Sequence, residues 1–353
     1  MPRLAAISVS FSLTITTLVV GAQAPDPTPL VPRPAIAAIL DALESHAVVG
    51  LSAGEGHGDL RGEEFVVALI RDPRFVEASI DVVVEAANAR YQDVMDRYTR
   101  GETIDSAALR RVWDDSTQVQ LVSAAGEIPA IYRVIREVNA NRPEHRQIRA
   151  VLPDPPIEWE RVSTRDDYRT WLAQRDSYGA EAVRREVLAR GRRALLIFGG
   201  GHLQRRNQLS NYEMEAPLAQ TVVSLLERAG VRTFIVKTPS GAQQEGMHGW
   251  PVPSLALVRG TAVGLAPEPS AGQRVAVREG RLVPIPREQW VTVPYQDQVD
   301  AVLFLGPTSE RRSKPLPLSL CSEPGYVETR MARMTLAALP PPELERLKKL
   351  CAK

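Results

Sequence analysis

The chain has 353 residues, of which 44% are hydrophobic and 24% are charged, as in an ordinary globular protein. This composition excludes a largely disordered chain. The formal net charge is +1, because acidic and basic residues nearly balance, and this excludes the basic surface that nucleic-acid binding requires. We therefore expect a folded protein with no nucleic-acid partner.

The first 24 residues have the pattern of a secretory signal peptide. Arg3 gives a positive start, residues 4–20 are mainly apolar, and Ala-Gln-Ala at 22–24 has the small-x-small form of a cleavage site. We predict export, with cleavage near Ala22 to Ala24 and no membrane span in the mature protein. An uncleaved N-terminal anchor is the alternative. Residues 25–36 are rich in proline and predict an extended linker outside the core.

Residues 37–310 alternate short β-type runs with helical patterns, which predicts an α/β domain. Several runs are continuously apolar, as strands buried on both faces are, so we expect a central, mostly parallel sheet flanked by helices. The helical patterns between residues 88 and 141 are longer than one crossover needs. They predict a helical insertion between the second and third strands. The predicted strands are residues 47–51, 80–85, 148–152, 193–198, 232–237 and 300–306.

The last part of the chain has weaker patterns. Residues 275–285 predict a hairpin with its turn at Glu279-Gly280. Residues 311–353 are predicted to form a C-terminal tail that packs on the domain. They contain the two cysteines, Cys321 and Cys351, and in an exported protein we favour one disulfide between them.

Polar residues follow the ends of the predicted strands. The first strand runs into Glu55 and His57, the second ends at Glu85, the third runs into Asp154 and the fourth into His202. Ligands of open α/β sheets bind at the carboxyl ends of the strands. If these strands are parallel neighbours, two histidines and several carboxylates meet at one rim.

Glu85 and His202 each have two interpretations. Glu85 directly extends an apolar run, and an unpaired buried carboxylate is costly, so it is either functional or paired with an arginine such as Arg90. His202 follows three glycines at the end of a strand. Glycines there allow the backbone to approach a ligand closely, although they could also serve only a tight turn.

The sequence GLSAGEGHGD at residues 50–59 matches two chemical patterns. G-L-S-A-G resembles a nucleophile elbow with Ser52 as the nucleophile. An elbow needs a helix directly after its serine, but the following glycines postpone the predicted helix to about Leu60. We therefore favour Glu55 and His57, a carboxylate and an imidazole on a glycine-rich turn.

Two G-x-x-H sequences, GEGH at 54–57 and GGGH at 199–202, occur with a glutamate at the end of the intervening strand. This combination resembles the superfamily that joins the Tiki and TraB proteins, the erythromycin esterases and the ChaN haem-uptake proteins. Residues 48–88 and the segment ALLIFGGGH carry the resemblance. Elsewhere the likeness is in the order of strands and helices only.

The resemblance implies several activities. By similarity to the erythromycin esterases, His57 would be the general base that activates water, Glu55 and Glu85 would orient or charge it, and His202 would complete the site. The esterases usually have G-E-x-x-H, so GEGH is nearer to the Tiki, TraB and ChaN spacing. In Tiki proteins the two histidines and the glutamate are associated with a divalent metal and peptide-bond cleavage, whereas ChaN binds haem iron.

The chemistry of these side chains is compatible with more than one cofactor. His57, Glu85 and His202 are candidate ligands for Zn²⁺, Mn²⁺ or Co²⁺, with an open position for water. The same groups could act by general-base hydrolysis without metal. Haem is the alternative cofactor, although no hydrophobic slot with an axial ligand stands out in the sequence.

The sequence as a whole favours an exported hydrolase that cleaves an ester or peptide bond in a small-molecule or peptide substrate. Its predicted catalytic residues are Glu55, His57, Glu85 and His202. The alternative is a haem-binding or other ligand-binding protein without turnover. A third hypothesis is a structural rim of salt bridges, in which replacing His57 or Glu85 changes stability alone.

Overall fold

A computed structural model describes residues 26–53, 59–78, 80–119, 129–206, 220–268, 275–279, 281–312 and 318–352. These residues form an eight-stranded sheet with helices on both faces, together with a separate two-stranded hairpin. The chain therefore has the predicted α/β architecture. No helix in the described part of the chain combines the length and apolar character needed to cross a membrane.

The main sheet has the order β1-β7-β10-β6-β2-β5-β3-β4. The six strands from β10 to β4 are parallel, β7 pairs antiparallel with β10, and β1 pairs antiparallel with β7 at the edge. The strands are β1 (Arg33–Pro34), β2 (Val48–Ser52), β3 (Ile80–Val84), β4 (Ala150–Val151), β5 (Arg193–Ile197), β6 (Thr233–Lys237), β7 (Ser254–Leu257) and β10 (Ala301–Phe304). β8 (Val275–Arg278) and β9 (Arg281–Pro284) form the predicted antiparallel hairpin.

The described helices lie mainly between the strands, as in a doubly wound sheet. They are α1 (Ala35–Ser45), α2 (Leu60–Arg71), α3 (Pro73–Glu77), α4 (Gln92–Thr99), α5 (Ser106–Asp114), α6 (Ala130–Asn139), α7 (Arg165–Ala173), α8 (Arg175–Ala182), α9 (Val222–Arg228), α10 (Ala262–Leu265), α11 (Tyr326–Leu336) and α12 (Pro341–Cys351). α4, α5 and α6 lie between β3 and β4, which confirms the predicted helical insertion.

Strand side chains alternate between two hydrophobic cores. One face of the sheet packs against α1 to α6, and the other packs against α8 and α9. In β3, for example, Val82 belongs to the first core and Val83 to the second, and both are fully buried. Burial on both faces explains why these parallel strands are continuously apolar in sequence.

Two segments differ from the sequence-based expectation. The predicted proline-rich linker contributes β1, whose Arg33 and Pro34 pair with β7, and α1 begins directly after it with the buried Ala35. Proline is accommodated there because an edge strand needs hydrogen bonds on one side only. Residues 165–191 have the apolar spacing of a helix throughout, which predicts one continuous helix, but the structure divides them into α7, α8, a π-helical turn (Val183–Val187) and a 3-10 turn (Leu188–Arg190) capped by Gly191.

A disulfide between Cys321 and Cys351 joins the 3-10 helix Leu318–Ser322, which precedes α11, to the end of α12. The helices α11 and α12 pack on the domain through a third hydrophobic cluster, apart from the two cores of the sheet. In this cluster Met334 and Leu347 contact residues such as Tyr168.

Candidate functional site

The strand register brings four strand ends into one row. β3, β5, β2 and β6 are consecutive neighbours, and Glu85, Phe198, Ser52 and Lys237 lie at or just past their carboxyl ends. Because side chains alternate along a strand, all four residues project from the face that carries α8 and α9. The rim expected at the carboxyl edge is therefore a single layer of side chains.

Glu85 accepts hydrogen bonds from four groups. The Arg175 Nη2 atom lies 2.5 Å from Glu85 Oε1, and His202 Nε2 lies 3.3 Å from the same oxygen. The Gln118 side-chain amide donates to Oε1, and the backbone N–H of Gly199 donates to Oε2. Burial by itself raises the pKa of Glu85, but His202, Arg175 and the Gly199 N–H together hold it well below its usual range. Glu85 is therefore a carboxylate at neutral pH.

The salt bridge considered between Glu85 and Arg90 is not present, because Arg90 lies near Glu158 and Glu160 instead, at 3.8 and 3.5 Å. The arginine that pairs with Glu85 is 90 residues further along the chain, at the start of α8.

His202 lies in the short 3-10 helix Gly200–Leu203 that follows β5. Its Nδ1 atom is 2.8 Å from Asp176 Oδ1, which also accepts the Val222 N–H at the start of α9. Burial lowers the pKa of His202, but the Asp176 and Glu85 carboxylates outweigh this effect and raise it to about 10. His202 is therefore an imidazolium at neutral pH, with both ring nitrogens directed at carboxylates.

Arg175 connects Glu85 to Asp154. Its Nε atom lies 3.4 Å from Asp154 Oδ1, and the backbone N–H and hydroxyl of Thr117 each donate to the same carboxyl group at 2.6 Å. Burial is the largest influence on Asp154 and raises its pKa. The cluster thus has two cations, Arg175 and His202, that face three carboxyl groups. Of these carboxyl groups, Asp154 is the most easily protonated, whereas Glu85 is held as a carboxylate.

A small recess of about 10 Å³ opens beside this cluster, which is room for one group of the size of a water molecule, such as a single ligand oxygen. About a fifth (21%) of the His202 side chain is exposed there, although the residues around it are largely buried. The recess is lined by Glu85, Pro153, Asp154, Arg175, Phe198 and His202.

A second polar group lies on the other side of β2. Lys237 forms an ion pair with Glu268 at 2.9 Å, and both side chains are less than one-tenth exposed. In the adjacent strand the Ser52 hydroxyl is buried and has no hydrogen-bond partner among the described residues. Gly200 packs beside the Lys237 side chain, so the GGGH turn lies between the two polar groups.

The structure brings Glu85, Asp154 and His202 together, as their positions at strand ends predict. Glu55 and His57 belong to residues 54–58, which lie outside the described residues. Gln118, Arg175 and Asp176 were not identifiable from the sequence, because none of them follows an apolar strand or a glycine-rich turn. Lys237 did have a signal that was missed, since it ends an apolar strand in the same way as Glu85.

The two described candidate metal ligands do not offer a suitable donor set. His202 has both ring nitrogens occupied as donors, and both Glu85 oxygens accept from protein groups. Within the described ranges no group of three or more His, Cys, Asp or Glu side chains is placed to hold a metal ion. The assignment of Glu85 and His202 as Zn²⁺, Mn²⁺ or Co²⁺ ligands does not fit this geometry.

Comparison with known proteins gives two low-scoring structural likenesses. No family model matches the sequence, and no curated protein is significantly similar to it. The type III effector HopBA1 has a TM-score of 0.37 and 10% identity, covering 65% of this chain and 92% of the effector. ChaN of Campylobacter jejuni, solved with cofacial haem binding, has a TM-score of 0.36 and 11% identity, covering 58% of this chain and 86% of ChaN. These likenesses extend to the α/β architecture at most.

Proposed function

We propose that the recess at the carboxyl edge of the sheet is a small-molecule binding site in which His202 is the principal polar contact. The observation that supports this most directly is that Asp176 and Glu85 hold His202 as an imidazolium while about a fifth (21%) of its side chain stays exposed. Since both ring N–H groups are directed at those carboxylates, the ring offers a ligand oxygen its positive charge and not a free N–H.

The surroundings of His202 suit a small ligand with a carboxylate or carbonyl oxygen. The carboxyl edge of a parallel sheet is the usual position for ligands in this class of fold. Phe198 and Pro153 supply apolar surface beside the polar groups, and sites for small molecules combine these two features.

Haem is the ligand implied by the resemblance to ChaN, but the described residues of the recess do not fit an iron site. An iron ligand needs a nitrogen, sulfur or oxygen atom with a free lone pair, and both His202 nitrogens act as donors. The proposal therefore concerns a ligand whose oxygen is attracted by the His202 charge and which does not need a metal.

Hydrolysis of an ester or peptide bond is a second candidate function, favoured by the Asp176–His202 hydrogen bond. A carboxylate at Nδ1 is the usual means of orienting a catalytic imidazole. Because His202 retains its proton, its role would be that of an acid or of a stabiliser of negative charge on the carbonyl oxygen. Water activation would fall to His57 and Glu55, which follow β2, the neighbour of β5.

A ligand screen by thermal unfolding tests the binding proposal. Carboxylates, esters, short peptides and haemin are added to the wild type, to His202→Gln and to His248→Ala, whose histidine is exposed in a distant segment of sequence. We expect at least one oxygen-bearing compound to raise the Tm of the wild type and of the control but not of His202→Gln. A compound that stabilises all three proteins equally would contradict the proposed role of His202.

The same compounds separate binding from hydrolysis when product formation is followed over time. Turnover that disappears in His202→Gln supports the second candidate, whereas binding without turnover supports the first. Loss of stability in His202→Gln, with no ligand found for the wild type, favours the structural salt-bridge hypothesis.

Export is also part of the proposed function, and the Cys321–Cys351 disulfide supports it, because such bonds persist mainly in oxidising compartments.

A further inference from the structure

The C-terminal unit, residues 318–352, is closed on itself by the Cys321–Cys351 disulfide. It consists of the 3-10 helix Leu318–Ser322 followed by α11 and α12. Met334 and Leu347 of this unit are buried against Val119 and neighbouring apolar residues, so the unit packs directly beside the segment that follows α5.

Two arginines of α11 bind the end of α5. Arg330 and Arg333 lie one helical turn apart, and each donates to the carbonyl oxygen of Asp114 at 3.0 Å. Arg333 also binds Asp115 Oδ1 at 2.8 Å. Arg330 is only 2% exposed, so this contact is an interior one and not a mobile surface pair.

The residues that follow Asp115 enter the candidate site. Thr117 binds Asp154 through its N–H and its hydroxyl, and the Gln118 amide donates to Glu85. Thr117 is fully buried and Gln118 is 8% exposed. Only one residue separates the segment bound by α11 from the first donor in the site.

A second path joins the same elements. The Asp115 carbonyl oxygen accepts from Asn88 Nδ2 at 2.8 Å and from Trp159 Nε1 at 3.1 Å. The Arg333 guanidinium lies 4.7 Å from the centre of a Trp159 ring, and Asn88 is three residues beyond Glu85. Through Asp115 and Trp159, α11 is therefore linked to the segments that follow β3 and β4.

We propose that the C-terminal unit positions Thr117 and Gln118 in the site, so that opening the Cys321–Cys351 disulfide releases these two donors from Asp154 and Glu85. The reductant is a thiol: two thiol molecules give up two electrons and two protons, the S–S bond becomes two cysteine thiols, and the reductant becomes a disulfide. This inference concerns the geometry of the site and does not depend on which ligand or reaction the site serves.

The physical basis is the loss of a constraint on the C-terminal unit. The cross-link restricts the conformations open to the segment between the cysteines, which are 30 positions apart in sequence, and without it partly unfolded states of the unit become more populated. Each such opening removes Arg330 and Arg333 from the end of α5. A chain kept in a reducing compartment would then have an incompletely ordered site, and oxidation would complete it.

Hydrogen–deuterium exchange of the full chain, read by mass spectrometry before and after treatment with dithiothreitol, tests this proposal. We expect exchange to increase in the peptides that contain Thr117 and Gly199, whose N–H groups bind the site carboxylates. The increase should be about tenfold, since a hydrogen bond to a charged group contributes free energy equivalent to roughly that factor. Exchange in β6 should stay unchanged, and reoxidation should restore the original rates.

A variant with the disulfide intact keeps the test decisive if reduction unfolds the whole chain. Arg333→Gln removes the contacts with Asp114 and Asp115 and should increase exchange in the same two peptides. Lys348→Gln is the matched control, because Lys348 is an exposed cation of the same unit whose ion pair with Glu345 lies within α12. The proposal would be overturned if the increase in exchange were confined to residues 318–352 in both the reduced protein and Arg333→Gln.

Discussion

Glu85 shows what is needed to keep a charge at the end of an apolar strand. Leaving a buried carboxylate without partners costs several kcal/mol. Here Arg175, His202, Gln118 and the Gly199 N–H surround it. Loss of the carboxylate therefore removes one of the two carboxyl partners of both Arg175 and His202, which is more destabilising than the pairing itself is stabilising.

We predict that Glu85→Gln lowers the free energy of unfolding by roughly 2–4 kcal/mol, because it leaves Arg175 and His202 without their shared partner. Urea unfolding followed by circular dichroism measures the change. Glu64→Gln is the matched control, since Glu64 pairs with Arg312 while both side chains are more than half exposed. Equal effects of the two substitutions would show that the pairing around Glu85 is not special.

His202 gives the site a specific pH dependence. Its folded-state pKa is raised from 6.5 to about 10, so its stabilising contribution is complete below pH 6.5 and is lost as the pH rises towards 10. The pKa of Glu85 is lowered from 4.5, so its contribution is complete above pH 4.5 and is lost on acidification. The two contributions overlap fully between pH 4.5 and 6.5.

We therefore predict that the free energy of unfolding falls between pH 7 and 10 by on the order of 1 kcal/mol per pH unit. In His202→Gln this decline should be much weaker, because the titrating group is absent. Denaturant unfolding at several pH values provides the measurement. An identical decline in the variant would assign it to other groups.

At the scale of the element, the GGGH turn depends on one close approach. A Cβ atom on Gly199 would lie 3.1 Å from Glu85 Oε2, whereas a Cβ on Gly201 would have no heavy atom within 4 Å. Gly199 thus lets the backbone N–H reach the carboxylate, and Gly201 has no comparable packing requirement.

This contrast predicts different effects for two identical substitutions. Gly199→Ala should destabilise the protein by about 1 kcal/mol or more, because the glutamate must shift away from its donors. Gly201→Ala should have little effect on stability. Thermal unfolding of both variants measures this difference in stability. A similar fall in Tm for the two variants would mean that the turn is constrained by something other than Glu85.

The strands were predicted well and the helical breaks were not, for a physical reason. A strand buried on both faces must be continuously apolar, and β2, β3 and β5 show that pattern within a few residues of their actual bounds. The break between α7 and α8 has no glycine or proline in sequence to mark it. It nevertheless places Arg175 and Asp176 at the start of α8, where both reach the site.

At the scale of the whole molecule, the origin of the mature N-terminus is open to a direct test. We predict that a cell expressing the full chain releases a protein that begins at Pro25, because Ala22 and Ala24 fit the peptidase site. Mass spectrometry of the exported protein would identify that terminus. An intact residue 4–20 segment in a membrane fraction would support the anchor instead.

The sequence alone determined the class of fold, the helical insertion and the strand ends at which polar residues meet. The spacing of apolar residues within a strand or helix is a local property, so it can be recognised directly in the sequence. Glu85 and His202 were identifiable because a charged or glycine-flanked residue at the end of an apolar strand is unusual.

Only the tertiary structure decided the chemistry of that edge. The protonation of His202 depends on Asp176, and the charge of Glu85 depends on Arg175, which come from a helix that is distant in sequence. A pKa is set by the groups that surround a side chain in space, and no spacing along the chain encodes them. For this reason the sequence suggested a metal ligand at position 202, whereas the fold makes that residue a cation paired with two carboxylates.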